Sequence, residues 1–307
     1  KTPYANQMYL ELATLPPMSK ALFLQIPNDN YIDESLFEYF FIGKKSNYTK
    51  IPITNYDVID NNIFYTSLST NIKKKYNGKY KIVEQTFWFG TDRFGRDLLS
   101  RIIYGVRVSI AVGLIAVIIS LIIGISLGLI AGFYRGRVDD IIMWFVNVIW
   151  SIPTLLMVIA ITLALGKGFW QVFVAVGLTM WVEVARIVRG QVMAIRELEY
   201  VEASKVLAYS PFRIITKHIL PNVIGPVIVI SAANFAAAIL IEAGLSFLGI
   251  GAQPPIPSWG SIIKDHYSYI IMDKAYLAII PGIAIMLLVL SFMTLGNSLR
   301  DAFDVKD

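Results

Sequence analysis

Apolar positions are unevenly distributed along this chain. From residue 108 onward they gather into long runs that charge scarcely interrupts: Val108 to Tyr134, Ile141 to Gly166, Ile219 to Ile241 and Ala275 to Leu299. Each exceeds the roughly 20 residues that a helix needs to cross the hydrocarbon core of a bilayer. Gly168 to Val182 is shorter but continues through Glu183 into Ala185, which makes five spans. Residues 1 to about 86 have another texture. Tyr, Phe, Asn and Lys are frequent, and turn signals stand at Pro16-Pro17, Pro27-Asn28, Asn61-Asn62 and Asn77-Gly78. Alternation such as Lys79 to Val83 predicts short strands, so residues 1–86 read as a water-exposed α+β or irregular region. Lys73-Lys74-Lys75 reads as solvated surface.

Polar residues at the ends of the runs orient them. Arg135-Gly136-Arg137, and Arg186, Arg189 and Arg196 further on, place those ends in the cytoplasm, with Lys167-Gly168 as an outer turn. Arg300 fits a cytoplasmic C-terminus. Asp139-Asp140 suits the positive N-terminal end of the helix that follows. Trp150-Ser151-Ile152-Pro153 falls inside the second run. Proline removes one helical hydrogen bond, so a kink is expected in a single returning helix, as a packing bend in preference to a pathway lining. Gly124, Gly128 and Gly132 recur every four residues on one face, where a second helix can approach closely. Ala232, Ala233, Ala236, Ala237 and Ala238 slim another helix in the same way. Glu242, Asn147 and Asn234 are costly in the bilayer and must face a partner or water; each can line a pathway or hold structure, and for Glu242 the structural role is preferred.

One connection is unusually long. Within residues 197–221, Glu202 to Pro221 is a polar, basic island between two apolar runs. Ser210-Pro211 is a helix start, with Ser capping free amides and Pro at the first helical position. Phe212, Ile215 and Ile219 make one apolar stripe, with Arg213, Lys217 and His218 largely off it. The stretch therefore reads as a helix-turn-helix outside the bilayer, its greasy face resting on lipid or docked on a protein.

Composition agrees with a membrane protein. The 307 residues are 56% hydrophobic, and a mean hydropathy of +0.60 is too apolar for an ordinary soluble domain. The net charge of +5 is modest and nothing points to nucleic acid. There is no cysteine, hence no disulfide or thiolate metal site, and His218 and His266 lie too far apart to build a metal site together. No GxxxxGK[ST] phosphate loop is present, so ATP is not expected on this chain.

Three blocks carry a resemblance. Glu202-Ala203, a small residue six places on, and Leu220-Pro221 resemble the EAA loop of binding-protein-dependent ABC importer permeases, with Ser204 and Ala208 where that family usually has Ala and Gly. Gly90-Thr91-Asp92, Gly95-Arg96-Asp97 and Ser100-Arg101 resemble the block preceding the second span of C-type dipeptide/oligopeptide permeases. Leu245 to Gly249 followed by Gln253 to Gly260 is similar to the LSFLGxGxQPPxPSWG signature of the same subunits, and Leu295-Gly296-Asn297 and Leu299-Arg300-Asp301 also fit. The resemblance covers about residues 87 to 304.

It implies an all-α polytopic fold of the type I ABC importer class over residues 87–307, with six spans, the first expected upstream of Lys1. The implied partners are a homologous B-type permease, two ATP-binding subunits carrying ATP and Mg, an extracytoplasmic substrate-binding protein and bacterial inner-membrane lipid. No cofactor is implied on the chain itself, which would be non-catalytic. The implied coupling residues are Glu202, Ala203, Ser204, Ala208, Ser210, Pro211, Leu220 and Pro221. An alanine at a turn wanting positive φ points to a different geometry at Ala208. Gln253, Pro254, Pro255, Pro257, Ser258 and Trp259 would form a rigid outer loop that docks the binding protein. Residues 1–86 would cap the outer face and contact that protein. Peptide is the leading cargo, with nickel or another small solute as the alternative. A secondary transporter using Glu183 and Glu242 as proton carriers is the alternative of a different class, and an intramembrane hydrolase fits poorly because both histidines fall outside the spans.

Overall fold

The computed structural model describes residues 4–28, 35–59, 62–166 and 168–303. They divide into two compact units. The first is Lys1–Val108 with Pro254–Ala284, so it takes in more than the 1–86 stretch distinguished in the sequence; the second is Ser109–Gln253 with Ile285–Asp307.

The first unit is built on an antiparallel sheet of β1 (Ser19–Pro27), β2 (Tyr48–Ile59), β3 (Asn62–Ser67), β4 (Lys73–Tyr76) and β5 (Lys81–Phe87), in the order β4-β3-β2-β1-β5. Neighbouring residues of the interior strand β1 serve opposite faces, as a pleat of period two requires. Phe23 packs with Tyr9, Leu12 and Phe87 on one side, and Leu24 packs with Ile53, Ile63 and Tyr65 on the other. Lysines fill the edge strand β4, and an edge carrying charge resists pairing with another chain. The short helix α1 (Leu36–Phe41) is closed by a capping box between Ser35 and Glu38.

A buried ionic hub follows the sheet. Asp92 accepts from the Phe94 and Arg96 amides at 2.8 and 2.9 Å and from Arg96 Nε at 2.5 Å. Arg101 stands 3.7 Å away and also donates to Asn6 Oδ1. Gly90 and Gly95 have φ of +77° and +69°, and a Cβ at either would strike the backbone oxygen of Leu15 or Tyr9. The glycines of this block thus admit a second chain segment against the turn.

The hub leads into α2 (Leu98–Tyr134), the first of four helices among the described residues that are long and apolar enough to span; the others are α5 (Phe169–Ile195), the continuous Pro211–Phe247 and α10 (Tyr276–Phe303). The expected single returning helix at Ile141–Gly166 is instead two, α3 (Gly136–Trp150) and α4 (Thr154–Leu165), bent by 89°. A fifth span exists only if this broken pair counts as one. The reason is local. Pro153 has no N–H to donate and takes an extended backbone, the residue before a proline is pushed out of the helical region, and Ser151 turns its hydroxyl back to the Val148 carbonyl.

In the second unit Phe235 stacks on Phe292 at 4.0 Å, in a cluster with Val117 and Ile239 that joins α2, α10 and α8 (Leu220–Phe247). Val146, Trp181, Val182 and Ala185 join α3 to α5. Helices α2 and α5 run parallel at close range. A Cβ on Gly124, Gly128 or Gly132 would lie 2.6–2.7 Å from the Cβ of Val184, Val188 or Val192 respectively.

Candidate functional site

Residues 196–221 emerge where α2, α5 and α8 end or begin. Helix α6 (Glu199–Val206) carries Glu199 and Glu202 in its first turn, where acids complement free amides. It closes in a Schellman motif. Ala208 donates to the Lys205 carbonyl at 2.9 Å and Tyr209 to the Ser204 carbonyl at 3.2 Å. Ala208 itself has φ of +56°. The different turn geometry expected for alanine is therefore not what forms: alanine takes the left-handed position that glycine favours, held by two carbonyls that would otherwise go unpaired.

Ser210 accepts from the Arg213 amide and Pro211 opens α7 (Pro211–Ile214). The helix does not stop at Leu220-Pro221. A π segment, Ile215–Ile219, connects α7 to α8, and the chain runs helical from Pro211 to Phe247. Pro221 cannot bond to the carbonyl four residues back, and a wider turn just before it absorbs that mismatch. The π segment also changes the phase of the apolar stripe. Ile219 is fully buried, Ile215 packs against the core, and Phe212 faces outward. The expected continuous docking face of Phe212, Ile215 and Ile219 is thus split.

The loop has two distinct sides. Underneath, Val201, Ile214, Ile219 and Val223 are buried with Leu129 and Phe133 of α2 and Val184, Val188, Val192 and Ile195 of α5. On top, Val206, Leu207 and Phe212 are 86%, 65% and 77% exposed. Burial of the underside, at about 1.5–3 kcal/mol per large aliphatic side chain, anchors the loop to the helices. Ser204 is buried and donates to the Tyr200 carbonyl, whereas Glu202, Ala203, Ser210, Pro211 and Pro221 are exposed and Leu220 is half-buried. Arg213 lies 4.0 Å over the Tyr209 ring, which stacks on His218. Asn222 bridges the His218 carbonyl and the Tyr200 hydroxyl.

Ion pairs brace the base of the loop. Arg189 grips Asp139 with two hydrogen bonds of 2.5 and 2.6 Å. Arg135 pairs with Glu197 at 2.7 Å, and Arg196 donates to the Phe133 carbonyl. The arginines read as markers of sidedness therefore also tie α2 and α3 to α5. The sequence reading missed this, along with Val206 and Leu207. The available signal was two adjacent apolar residues in a polar island.

The other candidate residues are dispersed. Asn147 and Glu183 are exposed. Asn234 is buried in α8. Glu242 is buried too; it accepts from Ser246 at 2.7 Å, and Ser246 in turn accepts from the Ala252 amide at 3.1 Å. That chain of bonds ties the turn after α8 to the helix. Of the expected outer docking loop, Pro254 and Pro255 are exposed and Gln253 is half-buried, but Pro257, Ser258 and Trp259 are internal. Trp259 begins α9 (Trp259–His266), is 2% exposed and donates its indole N–H to the Ile102 carbonyl at 3.0 Å. Gly105 leaves the space the ring occupies. Ser258 caps α9. These residues are structural, because a buried indole needs a hydrogen-bond partner and finds it inside. Among the described residues no cluster of His, Cys, Asp or Glu is placed to hold a metal ion.

Comparison with known proteins matches residues 124–306 to the family of binding-protein-dependent transport system inner membrane components. The dipeptide transport system permease protein DppC of Bacillus subtilis (strain 168) is 43% identical over 219 residues, covering 71% of this chain and 68% of that protein. The oligopeptide transport system permease protein OppC of the same strain is 39% identical over 219 residues, covering 71% and 72%. The glutathione transport system permease protein GsiD of Pectobacterium atrosepticum is also 39% identical, covering 71% and 72%. Among solved structures, the inward-facing MetNI methionine ABC transporter shares the fold with a TM-score of 0.55 at 18% identity, over 67% of this chain and 97% of that one. An amino acid ABC transporter determined with histidines gives 0.51 at 17%, over 66% and 94%.

Proposed function

This chain belongs to the family of binding-protein-dependent transport system inner membrane components, and from that premise we propose that it passes di- or oligopeptides and is driven through the loop Glu202–Pro221. It is a multi-pass permease subunit of an inner-membrane ABC importer, with the type I importer transmembrane fold. The peptide reading rests on relatives named for dipeptide, oligopeptide and glutathione transport, each matched over about 70% of its length. Nickel cargo and ATP-independent transport have no comparable support.

In this reading a B-type permease and two ATP-binding subunits complete the membrane assembly, ATP and Mg are held by those subunits, and this chain catalyses nothing. An extracytoplasmic binding protein delivers the cargo, and Pro254 and Pro255 are the part of the outer loop available to touch it. Glu242 serves structure through Ser246. The observation that carries the coupling role is the apolar cap of Val206, Leu207 and Phe212, exposed on a loop whose opposite side is buried. An apolar cap on a firmly held base is what a protein cleft can grip and push. Closing the ATP-binding subunits would move the cap, and through it α5 and α8, alternating access between the two sides of the membrane.

The test is Glu202→Arg in the full complex, reconstituted with binding protein and ATP. ATP hydrolysis is expected to persist while peptide uptake is lost, and normal uptake would refute the role of the loop. Since the chain has no cysteine, Leu207→Cys and Phe212→Cys offer a second measurement. Both should cross-link to the ATP-binding subunit.

A further inference from the structure

We propose that the extracytoplasmic part of this chain stands on the outer leaflet through two apolar feet, which bind the lipid interface. The first foot is α1. Leu36, Phe37, Tyr39 and Phe40 occupy one side of this short helix, at offsets of zero, one, three and four residues, an arc of about 160° at 100° per residue. Leu36 is 89% exposed and the other three are also on the surface, while Phe41, at the edge of the arc against the Phe37 and Phe40 rings, is buried. The second foot is the 3-10 turn Tyr267–Met272, where Ile270, Ile271 and Met272 are exposed, Ile271 to 90%.

Both feet sit where a span begins. Arg107, the residue before the apolar run starting at Val108, donates to the Phe40 carbonyl at 2.6 Å. Its guanidinium also lies over the rings of Phe40 and Tyr104, at 5.1 and 4.9 Å. Helix α1 is therefore held at the first turns of α2, at the level where that helix enters hydrocarbon. Met272 precedes α10 by four positions, and Lys274, between them, is fixed to Thr14 at 2.5 Å. Aromatic and aliphatic side chains presented at that depth are suited to the headgroup–acyl boundary, and an arginine beside them suits lipid phosphate. A water-facing surface gives no reason to gather seven large apolar side chains at the starts of two spans, and the strongly solvated residues of this unit, Lys73 to Lys75, lie on the edge strand β4. The occupant this points to is lipid, because each foot is held beside the first residues of an apolar run long enough to cross a bilayer.

The test uses the absence of native cysteine. Single cysteines at Leu36, Phe40, Ile271 and, as the aqueous control, Lys74 would be labelled with an environment-sensitive fluorophore in the assembled transporter reconstituted in vesicles. At the first three positions blue-shifted emission is expected, with quenching by lipids spin-labelled near the headgroup and protection from aqueous iodide; position 74 should show the reverse. Iodide quenching at 36, 40 and 271 equal to that at 74 would overturn the proposal. So would protection from both quenchers, which would mean a protein covers the feet. Because only surface positions carry labels, a folding defect is visible as loss of assembly before any quenching is read.

Discussion

Gly128 is the middle contact of the parallel pair α2 and α5, and replacing it with alanine tests how closely that pair is set. A Cβ there would lie 2.7 Å from the Ala185 carbonyl oxygen and 2.7 Å from Val188 Cβ. Carbon atoms rest at about 3.5–4.0 Å, and a change of rotamer moves neither the Val188 Cβ nor the carbonyl, so the helices must part by about 1 Å. Overpacking of that kind costs about 1–3 kcal/mol. Gly190, on α5 itself, provides the opposite control, because nothing lies within 4 Å of its missing side chain. Gly190→Ala should be neutral or should stabilise by up to about 1 kcal/mol, the helix-propensity gain of alanine over glycine. The assay is the thermal midpoint of the purified assembly, followed by the loss of its peak in size-exclusion chromatography. Gly128→Ala should lower the midpoint and Gly190→Ala should not. Val188→Gly, which removes the Cβ that the new methyl strikes, should couple favourably to Gly128→Ala by about 0.5 kcal/mol or more, whereas the clash with the Ala185 carbonyl remains. Equal midpoints for the two glycine variants would refute the close-packing argument.

Ala208→Gly should relieve about 1 kcal/mol of left-handed strain; slower amide exchange around Leu207–Tyr209 with unchanged uptake is the expected result, and faster exchange would count against it. Trp259→Phe removes the indole donor while the Ile102 carbonyl keeps its helical amide, and should cost about 0.5–1.5 kcal/mol in thermal stability, while affinity for the binding protein is unchanged. His266 is pushed down from its ordinary value of 6.5, by burial above all and further by Arg93; its bond to the Ile262 carbonyl, Asp92 and Asp265 oppose the shift. Its Nδ1 is 2.7 Å from that carbonyl and its Nε2 accepts the Arg93 amide, so the fold favours the neutral ring. The resulting stability is complete above about pH 6.5 and is lost as pH falls through the lower folded value. His266→Gln should flatten that part of the midpoint's pH dependence, and an unchanged slope would refute the assignment.

The existence of the spans was legible because charge-free length has one main explanation in water. Their limits were less so. Helix α2 begins at Leu98, ten residues before the apolar run, because Arg101 is buried against Asp92 and Asn6 instead of staying in solvent. The caps of the coupling loop, Ser210 and Pro211, were readable since capping is local chemistry. The phase shift at Ile215–Ile219 was not, because a π turn leaves the residue pattern unchanged and alters only the geometry. The break at Pro153 was read as a kink, for an apolar run does not record how far its two halves diverge. Trp259 suited an exposed interface by its residue type. Only its acceptor, 157 positions away in the chain, puts it inside.

The unbroken run from Pro211 to Phe247 gives the coupling loop a mechanical character. At about 1.5 Å per residue its 37 residues make a rod of about 55 Å. The rod carries an internal proline, Pro226, and on the proposed coupling role a push on Phe212 would pass along it toward the other end of the helix. On that role the wide turn at Ile215–Ile219 lies between Phe212 and the membrane-crossing part of the helix, so it is the first place where a push could be absorbed before it travels further.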